Sequence, residues 1–433
     1  MTVEAPVEHH PGISPHADLL RFSTAGSVDD GKSTLIGRLL FETKSIFEDH
    51  MEAVEEASRD QGIDYVNLAL LTDGLRAERE QGITIDVAYR YFSTPKRKFI
   101  LADTPGHVQY TRNMVTGAST VDLTVVLVDA SRGITEQSRR HIFLASLLRI
   151  PHFVVCINKM DLVDYDEAIF ERIREEFKPF LARLEIPDLV FIPISALNGD
   201  NVLNRSANMP WYGGAPLLHQ LENVHVASDR NLVDFRFPVQ WVSRTNGESV
   251  SSYRGYAGKI VSGVIRHGEE VIVLPSGFTS TVRSVDIFDG PLEEAFAPMS
   301  VTLTLADEID ISRGDMIARP HNQPTVGQDL DVMICWLATK PMRPGTKYVV
   351  KHTSRSTRAI VKELRYRIDV NTLHRDEGAD QLGLNEIGRA VIRTTIPLLY
   401  DPYQRNRATG GFIIIDESTN ETVGAAMIQG PAT

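Results

Sequence analysis

The sequence predicts an α/β P-loop domain with a mostly parallel sheet, followed by two all-β barrels. In the first half, short apolar runs alternate with stretches of helical apolar spacing, the pattern of a parallel sheet covered on both faces. From residue 235 onward, short alternating strands with recurrent glycines replace that pattern. The chain has 433 residues, 42% of them hydrophobic. That length suggests roughly two to four packed domains.

The charge balance argues against a general nucleic acid-binding surface. There are 45 Lys and Arg residues against 57 Asp and Glu residues, a formal net charge of −12, and an acidic total does not favour a polyanion as partner. Cys156 and Cys335 are too few for a disulfide framework or a zinc cluster, so we interpret them as small buried hydrophobes of a cytoplasmic protein. Residues 1–18 lack an apolar core, which predicts a flexible arm rather than a signal peptide or membrane anchor.

The first motif is Gly-Ser-Val-Asp-Asp-Gly-Lys-Ser at residues 26–33, which matches the phosphate-binding pattern G-x-x-x-x-G-K-[ST]. A predicted strand at residues 20–25 precedes it, and helical spacing at residues 34–40 follows. Lys32 is expected to reach the β- and γ-phosphates, and Ser33 to coordinate Mg²⁺. The alternative is a glycine-rich turn with a surface lysine. The predicted nucleotide-binding residues of this loop are Gly26, Ser27, Val28, Asp29, Asp30, Gly31, Lys32, Ser33 and Thr34.

The second motif is Asp-Thr-Pro-Gly-His at residues 103–107, after a predicted buried strand at residues 99–102. Asp103 at the carboxyl end of that strand is expected to hold Mg²⁺ through water, because parallel sheets bind ligands at that edge. The Gly106 amide is expected to meet the γ-phosphate. We predict that His107 orients and polarises the attacking water, and the alternative is a solvated histidine of a switch loop.

The long segment at residues 45–85 is predicted to contain a switch. Thr84, at the end of Glu-Gln-Gly-Ile-Thr, is expected to be a catalytic residue and the second hydroxyl ligand of Mg²⁺, closing over the γ-phosphate and releasing after hydrolysis. The acid-rich helical stretch at residues 48–58 is interpreted as a solvated face.

A third and a fourth motif predict the base. Apolar runs at residues 121–128 and 153–157 are predicted strands, and Asn-Lys-Met-Asp follows the second. Asp161 is expected to accept hydrogen bonds from the N1–H and 2-amino groups of guanine. Adenine lacks both donors, so a buried unpaired carboxylate would exclude ATP. Lys159 is expected to pack along the base, and the backbone of Ser195 and Ala196 to meet the guanine oxygen. The predicted guanine-site residues are Asn158, Lys159, Asp161, Ser195, Ala196 and Leu197.

A change in composition after a predicted helix at residues 216–223 marks the end of the first domain. Gly258, Gly263 and Gly268 recur at five-residue spacing and are interpreted as bends or bulges of a closed sheet. A linker is predicted at residues 319–327. The strands predicted for the second barrel are residues 330–337, 347–352, 359–368, 389–396 and 412–415. The predicted domains are the arm at 1–18, the GTPase domain at 19–225, and the two barrels at 230–325 and 326–433.

The motifs and domain order resemble the translational GTPases typified by elongation factor Tu, over nearly the whole chain. Within that superfamily the chain is most similar to the GTPase subunit of the bacterial heterodimeric sulfate adenylyltransferase, also called ATP sulfurylase. Asp30 stands where the elongation factor has histidine, and Gln81 where it has arginine. Five stretches carry the closer resemblance. They are Ser-Val-Asp-Asp-Gly-Lys-Ser-Thr at residues 27–34 and the segments at residues 78–92, 109–119, 289–296 and 309–316.

The resemblance implies a role for each part of the chain. It implies that His107 orients the hydrolytic water, that Val28 and Ile83 flank it as an apolar gate, and that Mg²⁺ accompanies GTP. It also implies a smaller partner subunit that uses ATP and performs adenylyl transfer, in a heterodimer or a higher assembly. Some relatives carry an adenylyl-sulfate kinase domain after the second barrel. No second phosphate loop occurs before Thr433, so that activity is expected to be absent.

Two other functions stay open at this point. One is a translation factor that delivers RNA, which retention of labelled tRNA in the GTP state would reveal. The other is an assembly GTPase with no metabolic reaction. GTP hydrolysis stimulated by ATP and sulfate in the presence of the partner would distinguish the sulfate adenylyltransferase subunit from both. No membrane partner is expected.

Overall fold

The computed structural model describes residues 18–45, 68, 84, 86–107, 110–226, 229–244 and 253–432. The chain divides into two compact units, Met1–Val226 and Ala227–Thr433. The first is α/β and the second all-β, so the predicted fold class is confirmed. The predicted domain limits stay predictions, and the predicted helix at 48–58 lies outside the described residues. Among the described residues, no helix combines the length and apolar character needed to cross a bilayer.

A six-stranded sheet forms the centre of the first unit, in the order β2-β3-β1-β4-β5-β6. All neighbours pair in parallel except β2, which runs antiparallel to β3. The carboxyl ends of β1, β3, β4 and β5 therefore meet at one edge. The strands are β1 Asp18–Ala25, β2 Ala88–Ser93, β3 Arg97–Asp103, β4 Leu123–Asp129, β5 His152–Asn158 and β6 Asp188–Pro193.

Helices follow the parallel strands of this sheet. Every residue of β4 is buried, as expected of a parallel strand with helices on both faces. Thr135 caps α3, because its hydroxyl accepts a hydrogen bond from the Ser138 amide at 3.1 Å. The helices are α1 Lys32–Glu42, α2 Thr111–Ala118, α3 Glu136–Leu147, α4 Glu167–Leu181 and α5 Leu217–Asn223, with a short 3-10 helix at Met160–Val163.

The first barrel closes with six strands, in the order β10-β15-β7-β8-β14-β11 with β11 returning to β10. A separate two-stranded ribbon joins β9 to β13, and β12 extends β11. The strands are β7 Arg236–Arg244, β8 Arg254–Lys259, β9 Val264–Arg266, β10 Glu270–Leu274, β11 Phe278–Ile287, β12 Gly290–Leu292, β13 Glu294–Phe296, β14 Ser300–Leu305 and β15 Met316–Ala318.

The three regularly spaced glycines serve two purposes. Gly263 and Gly268 have φ angles of 80° and 79° in turns, a conformation that glycine adopts without strain. Gly258 lies inside β8, where a Cβ would come within 2.6 Å of the Pro238 carbonyl oxygen. The irregularity there is on the facing strand β7, between Val239 and Trp241. Gly258 is therefore a position of close strand approach opposite a bulge.

The second barrel also closes with six strands, in the order β17-β21-β22-β16-β20-β18 with β18 returning to β17. The predicted linker at 319–327 is too long, because Thr325, Val326 and Gly327 already pair with β20. Val326 is the only apolar side chain among the first five residues of this strand, so the sequence pattern did not show a strand that is defined by its pairing with β20. The elements are β16 Thr325–Trp336, β17 Lys347–His352, β18 Arg355–Ile368, β19 Arg375–Asp376, β20 Ile387–Tyr400, α6 Arg407–Gly410, β21 Gly411–Ile415 and β22 Thr422–Pro431.

A buried ion pair joins the two barrels. Arg236 on β7 donates from Nε and Nη2 to the two carboxylate oxygens of Asp401 at 2.9 and 2.8 Å, and the two side chains are 1% and 3% exposed. Arg236 Nη1 also donates to the Asn322 carbonyl oxygen at 2.7 Å. The second unit thus depends on a charge pair far from water.

We expect Asp401→Asn to lower the stability of the protein by about 3–5 kcal/mol, because it leaves the buried Arg236 guanidinium without its counter-charge. The measurement is the urea unfolding midpoint. Glu417→Gln is the matched control, since the Glu417 ion pair with Arg358 lies at the surface, where such pairs contribute about 0–1 kcal/mol. Equal midpoints for the two variants would contradict the assignment.

Candidate nucleotide site

The glycine-rich loop joins β1 to α1 at the carboxyl edge of the sheet. Gly31 has a φ of 91°, and a Cβ there would lie 2.4 Å from Asn158 Nδ2. Only glycine fits this position. Within the described chain, no side chain caps the first turn of α1. Its free amides therefore face the loop, an arrangement that attracts anions.

Lys32 lies inside the loop rather than in solvent. Its buried Nζ donates to the carbonyl oxygens of Gly26 at 2.9 Å and of Ser27 at 2.8 Å. Burial lowers the pKa of the Lys32 amine, and the nearby carboxylates of Asp103 and Asp30 oppose that shift. The amine is thus held at the centre of the loop, where a phosphate would neutralise it.

Asp30 stabilises the loop from within. Its buried Oδ2 accepts a hydrogen bond from the Ser27 amide at 2.6 Å. Burial raises the pKa of the Asp30 carboxyl, although the Ser27 amide and Lys32 act in the opposite direction. The Ser27 hydroxyl also lies 2.7 Å from Thr135 Oγ1, at the start of α3. Asp30, which stands where elongation factor Tu has histidine, therefore stabilises the phosphate loop through a hydrogen bond within the loop.

The loop after β3 closely approaches the phosphate loop. A Cβ on Gly106 would lie 2.3 Å from the Gly26 carbonyl oxygen and 2.5 Å from Lys32 Nζ. Asp103, at the end of β3, is buried and accepts a hydrogen bond from Thr24 Oγ1 at 3.3 Å. His107 comes directly after Gly106 and is half-buried. The Gly106 backbone therefore lies beside Lys32, and Asp103 is near enough to act on the pKa of the Lys32 amine.

Asn158 connects three loops. Its Nδ2 donates to the Asp30 carbonyl oxygen at 2.8 Å, and its Oδ1 accepts from the Ala196 amide at 3.0 Å. The Ala196 amide thus bonds to Asn158, whereas the sequence suggested a bond to the base. Ser195 is buried and its hydroxyl accepts from the Asn198 amide at 3.2 Å. The side chain of Asn158 therefore fixes the distance between the phosphate and base-reading loops.

Asp161 carries an acceptor for which the described part of the chain provides no donor. It lies in the 3-10 helix Met160–Val163, and its Oδ1 is buried with no hydrogen-bond partner among the described residues. An unsatisfied buried acceptor costs roughly 1–3 kcal/mol, and more when it is charged. A ligand that brings N–H donors to this point, as guanine does, would remove that cost.

Comparisons with known proteins agree with this geometry. The family model of the elongation factor Tu GTP binding domain matches residues 17–241, and the GTP-eEF1A C-terminal domain-like model matches residues 329–429. The bifunctional enzyme CysN/CysC of Mycobacterium tuberculosis (strain ATCC 25618 / H37Rv) is 60% identical over 95% of this chain and 67% of its own length. The sulfate adenylyltransferase subunit 1 of Alteromonas mediterranea is 54% identical over 95% of this chain and 87% of its own. That of Bacteroides fragilis (strain YCH46) is 53% identical over 95% and 86%.

The chain belongs to the sulfate adenylyltransferase subunit 1 family. The resemblance found in the sequence is therefore confirmed. A crystal structure of sup35 complexed with GDP aligns with 96% of this chain and 95% of its own at 22% identity, with a TM-score of 0.44.

In this member of the sulfate adenylyltransferase subunit 1 family, contacts link three of the predicted motifs to the phosphate loop. Gly106 approaches the loop directly, and the Asn158 and Ala196 motifs reach it through the Asn158 amide. Val28, Ser33, Thr34 and Thr84 are half-buried. Ile83 and the other immediate neighbours of Thr84 lie outside the described residues, so the switch and the apolar gate stay predictions.

Two residues that sequence reasoning missed also shape the site. Arg38 on α1 donates from Nε to the Ala196 carbonyl oxygen at 3.1 Å and from Nη2 to that of Leu197. No local pattern marks this arginine, since its partners are more than 150 residues away. Asp129 is the last residue of β4, as Asp103 is the last residue of β3. Because Asp129 directly follows an apolar run, the sequence alone could have indicated it as a residue of the site.

The residues present fit a magnesium nucleotide. Among the described residues, no three His, Cys, Asp or Glu side chains cluster so as to hold a metal ion. Mg²⁺ is usually held by one or two protein oxygens together with substrate phosphates and water. Ser33 in the first turn of α1 and Asp103 at the end of β3 offer that oxygen set.

Proposed function

We propose that GTP hydrolysis at this site drives the formation of adenosine 5'-phosphosulfate from ATP and sulfate on a smaller partner subunit. Family membership makes the chain a GTPase subunit of sulfate adenylyltransferase, acting in sulfate assimilation and cysteine biosynthesis. The observation that carries the nucleotide assignment is the buried Asp161 oxygen, which has no hydrogen-bond partner among the described residues and lies at the sheet edge of the phosphate loop.

The chain's own residues suit GTP at both ends. Asp161 accepts from the N1–H and 2-amino groups of guanine, while the loop amides and Lys32 contact the phosphates. Ser33, Asp103 and Thr84 would hold Mg²⁺. When bound, that ion neutralises charge on the β- and γ-phosphate oxygens. Lys32 stabilises the charge that develops as the phosphoryl group leaves.

Hydrolysis needs a positioned water. His107 follows Gly106, which approaches Gly26 and Lys32 closely, and its imidazole would accept a hydrogen bond from water facing the γ-phosphate. Orienting that water aligns its oxygen with the phosphorus. Thr84 would close over the γ-phosphate and open again once the phosphate has left.

Coupling follows from the energetics of the product. Joining sulfate to the α-phosphate of ATP forms a mixed anhydride, and its formation is strongly unfavourable. A second hydrolysis shifts that balance only if the two nucleotide states of this subunit bind the partner differently. The proposed partner is the smaller, ATP-using subunit, which performs the adenylyl transfer.

The decisive experiment is coexpression with the smaller subunit. We expect the two chains to copurify and to release pyrophosphate in a sulfate-dependent reaction that GTP stimulates. The controls are the same complex without sulfate and with a non-hydrolysable GTP analogue. Retention of labelled tRNA in the GTP state, with no sulfate-dependent pyrophosphate release, would favour RNA delivery instead.

Two variants test the roles assigned to the phosphate contacts. Lys32→Ala is expected to weaken GTP binding by about 10- to 100-fold, the range for losing a hydrogen bond to a charged group. Thr84→Ala is expected to bind GTP but to lose hydrolysis, because Thr84 belongs to the switch and not to the preformed loop. Equilibrium titration and single-turnover hydrolysis separate the two effects.

Lys178→Ala is the control for the lysine, since Lys178 lies exposed on α4. Wild-type hydrolysis in both Lys32→Ala and Thr84→Ala would contradict these assignments.

A further inference from the structure

Four charged side chains run in series from the phosphate loop to the base-reading loop. Arg132 Nη2 lies 4.0 Å from Asp29 Oδ2, and Arg132 Nε lies 3.9 Å from Asp129 Oδ2. The same oxygen of Asp129 is 2.8 Å from Lys159 Nζ. The series therefore spans the two ends of the proposed GTP site without passing through the nucleotide.

Asp129 is the buried member of the series. It is the last residue of β4 and its side chain is 2% exposed. Its Oδ1 accepts from the Ser131 amide at 2.8 Å and from the Ser131 hydroxyl at 2.6 Å, so the other oxygen points to Lys159. A carboxylate so far from water needs a cationic partner and a full set of donors. Asp129 has both, which fixes its orientation.

Lys159 needs an anchor. Its φ is 62°, a left-handed conformation that lysine seldom adopts, and it lies between Asn158 and the 3-10 helix that carries Asp161. Asp129 and Asn158 are also register partners on β4 and β5. The ion pair therefore holds the turn that presents Asp161 against the strand next to the phosphate loop.

We propose that Asp129 is a positioning residue of the nucleotide site. It holds Lys159 directly and Asp29 through Arg132, so that the base-reading and phosphate loops stay together and bound nucleotide dissociates slowly. This inference rests on the proposed GTP site and deepens it. Asp129 touches neither base nor phosphate in this role, since it acts through Lys159.

The test is the dissociation rate of mant-GDP from the full chain, chased with unlabelled GDP in a stopped-flow fluorimeter. Asp129→Asn keeps the shape and an acceptor for Ser131 but removes the charge. We expect dissociation to accelerate by about 10-fold or more, on the scale of losing a buried charge-assisted contact. Arg132→Gln cuts only the longer, more exposed links and is expected to accelerate dissociation by about two- to threefold.

A double-mutant cycle separates positioning from general support of the fold. If Asp129 acts through Lys159, the double variant Asp129→Asn/Lys159→Gln releases mant-GDP no faster than Lys159→Gln alone. Asp188→Asn is the matched control. Its carboxylate pairs with His152 at 2.7 Å at the start of β6, away from the strand ends that form the site, and its dissociation rate should stay within about twofold of wild type.

The outcomes are distinct. An unchanged rate in Asp129→Asn, or independent effects of Asp129→Asn and Lys159→Gln in the cycle, would overturn the inference while the GTP site stands. If Asp129→Asn does not fold, the dissociation rate of mant-GDP from Arg132→Gln tests the inference instead. An Arg132→Gln rate equal to that of wild type would then contradict a role for this series of charges. Wild-type protein that binds no mant-GDP would overturn the proposed GTP site together with this inference.

Discussion

His107→Ala is expected to slow GTP hydrolysis by roughly two to four orders of magnitude while GTP still binds, because the change removes only a group that positions water. The phosphate loop and the Asn158 bridge do not include His107, so the site should keep its shape. Binding of the smaller subunit should also persist. The measurement is single-turnover hydrolysis alongside equilibrium binding of GTP.

The assembled complex makes this a test of coupling as well. With His107→Ala, adenosine 5'-phosphosulfate should accumulate only to the level set by ATP and sulfate, without the excess that GTP drives. His141→Ala is not a suitable control, since His141 is buried near Lys32. His219→Ala, on α5, is suitable. Product that stays GTP-driven while hydrolysis is abolished would show that hydrolysis is not the energy source.

Asp161→Asn is expected to shift base preference from GTP toward xanthosine triphosphate. The carboxylate accepts from guanine, whereas the amide of the variant can donate to the 2-oxygen of xanthine. Mismatched polar groups at a buried site cost roughly 1–3 kcal/mol each, which corresponds to about 5- to 150-fold in affinity. Competition titrations with the two nucleotides measure the change.

Asp164→Asn is the matched control for that substitution, since Asp164 follows the same 3-10 helix and is exposed. It should leave the preference for GTP unchanged. Unaltered GTP affinity in Asp161→Asn, with no gain for xanthosine triphosphate, would remove the basis for the guanine site.

The fold was predictable where the signal is local. Parallel strands such as β4 are buried along their whole length, so a continuous apolar run in the sequence predicts them. The antiparallel β2 was not singled out, because only every second residue of its central part faces the core. The start of β16 at Thr325 was also missed, since its pairing with Tyr400 crosses 75 residues of chain.

The candidate site shows the same division. The glycine and lysine positions of the phosphate loop are required by the backbone geometry of that loop. Because the requirement is local, it appears in the sequence as a motif. Arg38 and Lys159 bind partners that only the folded chain brings near, the Ala196 carbonyl and the Asp129 carboxylate. Spacing along the sequence carries no information about such contacts, so they required the structure.

Closure of both barrels limits how this chain can misassemble. Because β10 pairs with β11 and β17 with β18, the described parts of the barrels present no long row of unused backbone donors and acceptors. The strands outside the two closed barrels are short, since β9, β12 and β13 have three residues each and β19 has two. In the described part of the first unit, β2 forms one border of an open sheet and exposes Tyr89 and Tyr91. Exposed, aromatic sheet borders are the usual templates for unwanted strand addition. Aggregation by backbone pairing is therefore a hazard of the nucleotide-binding unit, and the barrels are largely protected from it.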